Sequence, residues 1–135
     1  LLQEVIAEII RGICASCAPP WRRAIVSQEL ARPTPAFRGL LEKVVEPRIR
    51  LMREIIRHMM GPSTSEEKVD LITWSIVGQC TICLYNPMII ARLYPGLAQS
   101  DHDPEKLIRH VIEFTFVALG IASSGRRGPQ RPRKK

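Results

Sequence analysis

The sequence predicts an all-α fold, a single domain of about six helices. Apolar residues recur every three to four positions along most of the chain, which is the spacing of one face of an α-helix. Aromatic residues, which favour strands, make up only 5% of the sequence, and no stretch alternates apolar and polar side chains. A chain of 135 residues is a usual size for one domain with its own core.

Two amphipathic segments open the chain. The first runs from Leu1 to about Ala18, where Pro19 and Pro20 end it, and the second runs from Trp21 to about Arg32. The first segment begins in the middle of its apolar pattern, with no capping residue before it. We therefore expect this chain to be a fragment of a longer protein.

Two longer helices are predicted next. The first covers about Ala36 to Met60, and Pro47 should kink or divide it because proline lacks the amide hydrogen that a helix needs. The second covers about Ser65 to Tyr85. A capping box, in which Ser or Thr is followed three positions later by Glu, is predicted before it; the two candidate pairs are Ser63 with Glu66 and Thr64 with Glu67.

One short and one long helix complete the predicted domain, which spans residues 1–122. The short helix covers 88–94 and is ended by Pro95 and Gly96. The long helix runs from about Pro104, at its first helical position, to Ala122. No apolar run approaches the length of a membrane span, so no membrane partner is expected.

The net charge of +7 comes mainly from the C-terminal end. Residues 126–135 hold six Lys or Arg and no acid, which leaves 14 basic against 13 acidic residues in the rest of the chain. Because 123–135 combines Pro, Gly and like charges, we expect a disordered basic tail. Such a tail either attracts anionic surfaces non-specifically or only adds solubility, and the near-neutral domain offers no basic face for DNA.

The four cysteines form two C-x-x-C pairs, Cys14 with Cys17 and Cys80 with Cys83. A zinc module usually brings its pairs within about twenty residues of each other, on turns, whereas 62 residues separate these pairs and both lie in apolar helical runs. Unpaired cysteine commonly packs as a small apolar side chain. Core packing is therefore the preferred interpretation, and a thiol- or zinc-responsive sensor is the alternative.

No catalytic residue can be assigned. The chain contains no recognisable nucleophile–base, phosphate-binding or zinc-protease motif, and its three histidines are scattered. The sequence therefore predicts a binding protein rather than an enzyme, with no metal and no cofactor.

Large or adaptable side chains on helices that should face one another are the best candidates for an apolar pocket. Plain core packing explains each of them alone, but as a group they suggest a site for a small apolar or weakly charged effector. The predicted pocket residues are Cys17, Trp21, Met52, Ile56, Met59, Trp74 and Val77.

Two helical stretches, 71–85 and 107–119, are apolar on more than one face. A domain of this size cannot surround both, so we expect a symmetric dimer in which two helices from each copy form a four-helix bundle. The predicted interface residues are Ser75, Gly78, Gln79, Ile82, Val111, Phe114, Thr115 and Ala118.

Several strings, taken in order, resemble a known family. LARPTPAF, VVEPRIR, SIVGQCTICLYNPMIIARLYP and LIRHVIEFTFVALGI resemble the C-terminal domain of TetR/AcrR-family transcriptional regulators, in particular the CecR-like subgroup. The resemblance covers about residues 1–122, and its most specific pieces are PTPAF, VGQC and RHVIEFTFVALG.

The resemblance implies an effector-binding, dimerising domain of a cytoplasmic bacterial repressor, which releases its operator when a small molecule binds. It also implies that DNA is read by an N-terminal helix-turn-helix head that is not in this chain, and that the first helix continues the helix linking head and body. The dimer bundle would be formed by 65–85 and 104–122. A stand-alone helical protein-interaction module is the alternative of a different class.

Overall fold

The computed structural model describes residues 1–13, 19–84, 87–98 and 103–121. Within these ranges all regular structure is helical, which confirms the predicted all-α fold. A π-helical turn, Leu41–Val45, joins α3 to α4, and a 3₁₀ turn, Thr81–Leu84, follows α5. The helices are α1 (Leu2–Ile13), α2 (Pro20–Ala31), α3 (Pro35–Leu40), α4 (Glu46–Met60), α5 (Glu66–Cys80), α6 (Pro87–Leu93), α7 (Pro95–Ala98) and α8 (Pro104–Ala118).

The long central helix continues past its proline. From α3 through the π-helical turn to α4 the chain stays helical, and the amide of Glu46 donates to the carbonyl of Leu41, five residues back. This wider turn resets the hydrogen bonding immediately before Pro47. Pro47 then lies in the first turn of α4, where its missing amide hydrogen costs little. The expected disturbance is thus a local π-helical turn and not a break.

The cap of α5 differs from the prediction. The side chain of Ser65 accepts a hydrogen bond from the amide of Lys68 at 3.3 Å, so both predicted capping boxes were wrong. The reason lies in the preceding turn: Gly61 has a φ of 85°, and its carbonyl accepts from the amide of Thr64 at 3.3 Å. Residues 61–64 are used to reverse the chain, so the helix begins one residue later.

The predicted end of the short helix was also incomplete. Pro95 does end α6, but it starts a further helical turn, α7, because proline at a first helical position is already set to the helical φ. Pro104 is at the start of α8, as predicted. The predicted basic tail, 123–135, lies outside the described residues.

Helices α1, α4, α5 and α8 enclose the core. Along α1 the buried residues follow helical spacing, and Ile6 and Ile10 are fully buried. Met52 and Ile56 of α4 are likewise fully buried. The remaining buried residues of the cluster are Leu2, Val5 and Ala7 of α1, Val69, Ile76 and Cys80 of α5, and Ile108 and Val111 of α8.

Charged side chains join the helices at the edge of the core. Arg53 of α4 pairs with both Glu66 and Asp70 of α5, and Arg57 also pairs with Glu66. The hydrogen bonds to Asp70 and Glu66 raise the pKa of Arg53 above its ordinary value. A base whose pKa rises on folding contributes stability at every pH below its unfolded pKa, so this contribution is complete at neutral pH.

Truncating a buried side chain of α4 should destabilise the domain strongly. We expect Met52→Ala to lower the free energy of unfolding by about 2–4 kcal/mol, because it removes apolar contacts and leaves a cavity in the core. Leu51→Ala is the control, since Leu51 is the neighbouring residue and is exposed. Urea unfolding at one protein concentration measures both variants, and equal losses would contradict this description of the core.

The ion pairs between α4 and α5 should make a small, salt-dependent contribution. We expect Glu66→Gln to lower the urea midpoint, and the loss to shrink in about 1 M NaCl, where exposed pairs are screened. Glu67→Gln controls for the loss of an acidic side chain near the same helix N-terminus. An identical, salt-independent loss in both variants would show that the pairs with Arg53 and Arg57 do not matter.

Candidate functional site

Helices α5 and α8 lie side by side on the core and present their other faces to solvent. Val69, Ile76 and Cys80 point inward from α5, as Ile108 and Val111 do from α8. The outward faces are nevertheless apolar. Their exposed large side chains are Leu71 and Trp74 on α5 and Phe114 and Val117 on α8, followed by Ile121 just beyond α8.

A groove of about 200 Å³ runs between these two helices. Its walls are largely apolar, and it is open to solvent along the exposed face. We call it the α5–α8 groove. It is lined by Lys68, Leu71, Ile72, Ser75, Ile76 and Gln79 from α5 and by Phe114, Thr115 and Ala118 from α8.

One residue that lines the groove, Thr115, has a buried hydroxyl without a partner in the described part of the chain. Thr115 is 1% exposed, and its Oγ1 makes no hydrogen bond within the described part of the chain. Thr73, which is also buried, shows the usual arrangement in a helix, since its hydroxyl donates to the carbonyl of Val69 at 2.8 Å. Buried polar groups are nearly always paired, so the hydroxyl of Thr115 requires an explanation.

The middle of the exposed face is formed by small residues. A side-chain carbon placed at Gly78 would meet nothing within 4 Å, so the space outside this part of α5 is open. Ser75 keeps its hydroxyl against its own helix by donating to the carbonyl of Leu71 at 2.8 Å. A second backbone can therefore approach α5 closely here.

The predicted interface residues divide into two groups. Ser75, Gly78, Phe114 and Ala118 are exposed, while Gln79 and Ile82 are half-buried. Val111 and Thr115, by contrast, are buried within the chain itself. Sequence reasoning overlooked two exposed residues of this face, Leu71 and Val117, although each lies at helical spacing from a predicted one: Leu71 four positions before Ser75, and Val117 three positions after Phe114.

The predicted pocket residues are only partly brought together. Met52 and Ile56 are fully buried, and Met59 and Val77 pack against the same core cluster. The tryptophans lie outside it: Trp21 is 64% exposed on α2, and Trp74 is 75% exposed on α5. Cys17 lies outside the described residues.

The described part of the chain contains no cluster of cysteines and other metal-binding side chains. Cys80 is fully buried on the inner face of α5, whereas Cys14, Cys17 and the side chain of Cys83 are not described. Within the described ranges, no group of three or more His, Cys, Asp or Glu residues could hold a metal ion. No described helix is both long enough and apolar enough to cross a membrane.

Comparison with known proteins gives one match. Residues 1–119 match the family model of the C-terminal domain of the HTH-type transcriptional dual regulator CecR. The match includes the whole core and both helices of the exposed apolar face. Neither the curated proteins nor the solved structures contain a significant match to this chain.

Proposed function

The chain belongs to the family of CecR-type C-terminal domains of TetR-family transcriptional regulators, and on this premise we propose that it senses a small-molecule effector and dimerises. In the full regulator, effector binding would relieve operator binding by an N-terminal helix-turn-helix head. The regulator would then be a homodimeric repressor of the bacterial cytoplasm.

The exposed apolar face of α5 and α8 is the observation on which the dimer rests. The ten residues from Leu71 to Cys80 include no charged side chain, although α5 buries only one of its faces in the chain. Contiguous exposed apolar surface on a small domain marks an interaction site. A second copy fits it best, because α5 and α8 of each copy would cover the same surface of the other around a two-fold axis.

We propose an effector site at four of the predicted pocket residues, Met52, Ile56, Met59 and Val77, between α4 and α5. These side chains are apolar, and methionine adapts its shape readily, as side chains at promiscuous binding sites do. Met59 and Val77 are only half-buried, so they lie where this cluster meets the surface. This composition favours an apolar or weakly charged effector.

Helix α1 is suited to transmit the effect of the ligand. It packs on α4, α5 and α8, and Arg11 near its C-terminus holds Oε1 of Glu105 with Nε at 2.9 Å and Nη2 at 2.8 Å. A ligand inserted between α4 and α5 would disturb the surface on which α1 rests. If α1 continues toward the DNA-binding head, a change in its position shifts the population of operator-competent dimers.

Reading the gene upstream of Leu1 tests the regulator directly. An in-frame helix-turn-helix is the expected result. A stop codon immediately upstream would contradict it and would favour a stand-alone interaction module.

Blocking the exposed face should separate the dimer without unfolding the domain. We expect Gly78→Trp to convert a dimeric chain to a monomer, because the indole fills the space into which a partner must pack, while its first side-chain carbon meets nothing within 4 Å in the described part of the chain. Sedimentation velocity measures the mass, and circular dichroism checks the helix content.

Gly39→Trp is the matched control for this variant. Gly39 lies on α3 and not on α5 or α8, and a side-chain carbon placed there also meets nothing within 4 Å. It should leave the dimer intact. An unchanged dimer in Gly78→Trp, or a monomeric wild-type chain, would refute the proposed interface.

Filling the effector site should abolish ligand-induced stabilisation. With indole as a probe, we expect the Tm of the wild-type chain to rise, since a ligand that binds only the folded state stabilises it. Met59→Trp should remove that rise by occupying the entrance. Leu51→Trp, which adds the same side chain to the exposed side of α4, should keep it. Equal shifts in all three proteins would place the indole elsewhere.

A further inference from the structure

We propose that the indole of Trp74 fills the α5–α8 groove of a second copy, so that two reciprocal tryptophan contacts anchor the dimer. The inference rests on the dimer proposed above, and it adds which side chain of the exposed face carries most of the affinity and what receives it.

Trp74 is more exposed than any other described Trp, Tyr or Phe. Its side chain is 75% exposed, although tryptophan is usually among the more buried residue types of a domain. It lies in the middle of α5, within the uncharged stretch 71–80. Tryptophan is enriched in the buried centres of protein interfaces, where it commonly dominates the affinity. A partner that covers this indole would account for its exposure.

The groove has the size and the lining that an indole requires. Its volume is about 200 Å³, and an apolar cavity of about 150 Å³ is enough to bind benzene. Its walls include the apolar side chains of Leu71, Ile72 and Phe114. A buried indole also needs an acceptor for its N–H group. Two of the lining residues, Ser75 and Gln79, carry side-chain oxygens that can accept that hydrogen bond.

The ring and the groove that receives it lie on the same face of one chain. Trp74 is not among the described residues that line the groove of its own copy, so its indole is available to another. In an isologous dimer every contact occurs twice, and each Trp74 would enter the groove of the other copy. Gly78 lies one turn after Trp74, and its missing side chain lets two α5 helices approach closely enough for the ring to reach that groove.

The area of these contacts is a substantial part of what a stable dimer needs. Trp74 has 75% of its surface exposed. Since a fully buried tryptophan covers about 150–250 Å², two such rings and the groove walls beneath them would contribute roughly 450–750 Å². A stable interface buries about 1,200–2,000 Å² in total. The remainder falls to exposed apolar side chains that do not line the groove, such as Val117 and Ile121.

Trp74→Ala tests the anchor. The dimer dissociation constant, measured by analytical ultracentrifugation, should rise about a hundredfold or more, because truncating an interface tryptophan commonly weakens binding tenfold and the symmetric dimer loses two of them. Trp21→Ala is the matched control, since Trp21 is similarly exposed, at 64%, but lies on α2. It should leave the dissociation constant unchanged, and equal effects of the two variants would refute the anchor.

Tryptophan fluorescence measures the burial directly, because Trp21 and Trp74 are the two tryptophans of the chain. In Trp21→Phe only Trp74 emits, and its emission should move to shorter wavelength as the protein concentration is raised through the dissociation constant. In Trp74→Phe the emission of Trp21 should not change with concentration. If Trp74 keeps the emission of an exposed indole in a dimeric sample, the proposal is wrong.

Filling the groove from its own chain identifies the receiving surface. Ala118 lines the groove and is exposed. Ala118→Phe should weaken the dimer by occupying the space that the partner's indole needs, and this effect should largely disappear in a chain that already carries Trp74→Ala. Ala24→Phe adds the same side chain at an exposed position of α2 and should have no effect. Independent, additive losses would refute the pairing of indole and groove.

The remaining outcomes separate this inference from the dimer itself. A wild-type dimer whose dissociation constant Trp74→Ala leaves unchanged refutes the anchor and leaves the proposed function standing. A wild-type chain that stays monomeric at every concentration refutes both. A monomer whose Trp74 emits as a buried indole would show that the ring packs on its own chain, which would also refute the anchor.

Discussion

The packing of α1 is the constraint on which the rest of the domain depends. Its buried face, with Ile6 and Ile10 fully enclosed, contacts α4, α5 and α8 together, so this one helix fixes the relative positions of the other three. The inner faces of α5 and α8 pack on α1 together with α4, and nothing in the described part of the chain covers their outer faces. The exposed apolar face thus follows from how a single helix fills the core.

Helical periodicity was sufficient to predict the all-α fold, because it shows which residues share a face, whereas the family was predicted from the resemblance of several strings. It cannot show which face points inward when a helix is apolar nearly all round. This ambiguity affects Trp74 on α5, a predicted pocket residue that is exposed in the single chain. It also affects Val111 and Thr115 on α8, predicted interface residues that are buried in the single chain. The Ser65 cap and the π-helical turn were missed for another reason. Each depends on the hydrogen bonds of the neighbouring turn, and the spacing of apolar residues does not predict those bonds.

Helix α5 takes part in both proposed activities, effector binding and dimerisation. Its inner residues Val69, Ile76 and Cys80 belong to the core that contains Met52 and Ile56, and its outer residues form half of the exposed apolar face. Protein interiors are packed as densely as organic crystals, so a ligand that enters beside α4 cannot be accommodated by small local adjustments alone. Either α5 or α1 has to move. The ion pairs of Arg53 and Arg57 with Glu66 tie the start of α5 to α4, so a displacement of α5 would be largest toward its other end.

A movement of α5 would act directly on the proposed dimer, because α5 forms half of the exposed apolar face. If a second copy packs closely on α5 at Ser75 and Gly78, the arrangement of the two copies becomes sensitive to the position of α5. Packed interfaces switch between discrete arrangements and do not deform continuously. A small displacement caused by an effector would then produce a discrete change between dimer registers, which is what a regulator with two DNA-binding heads requires.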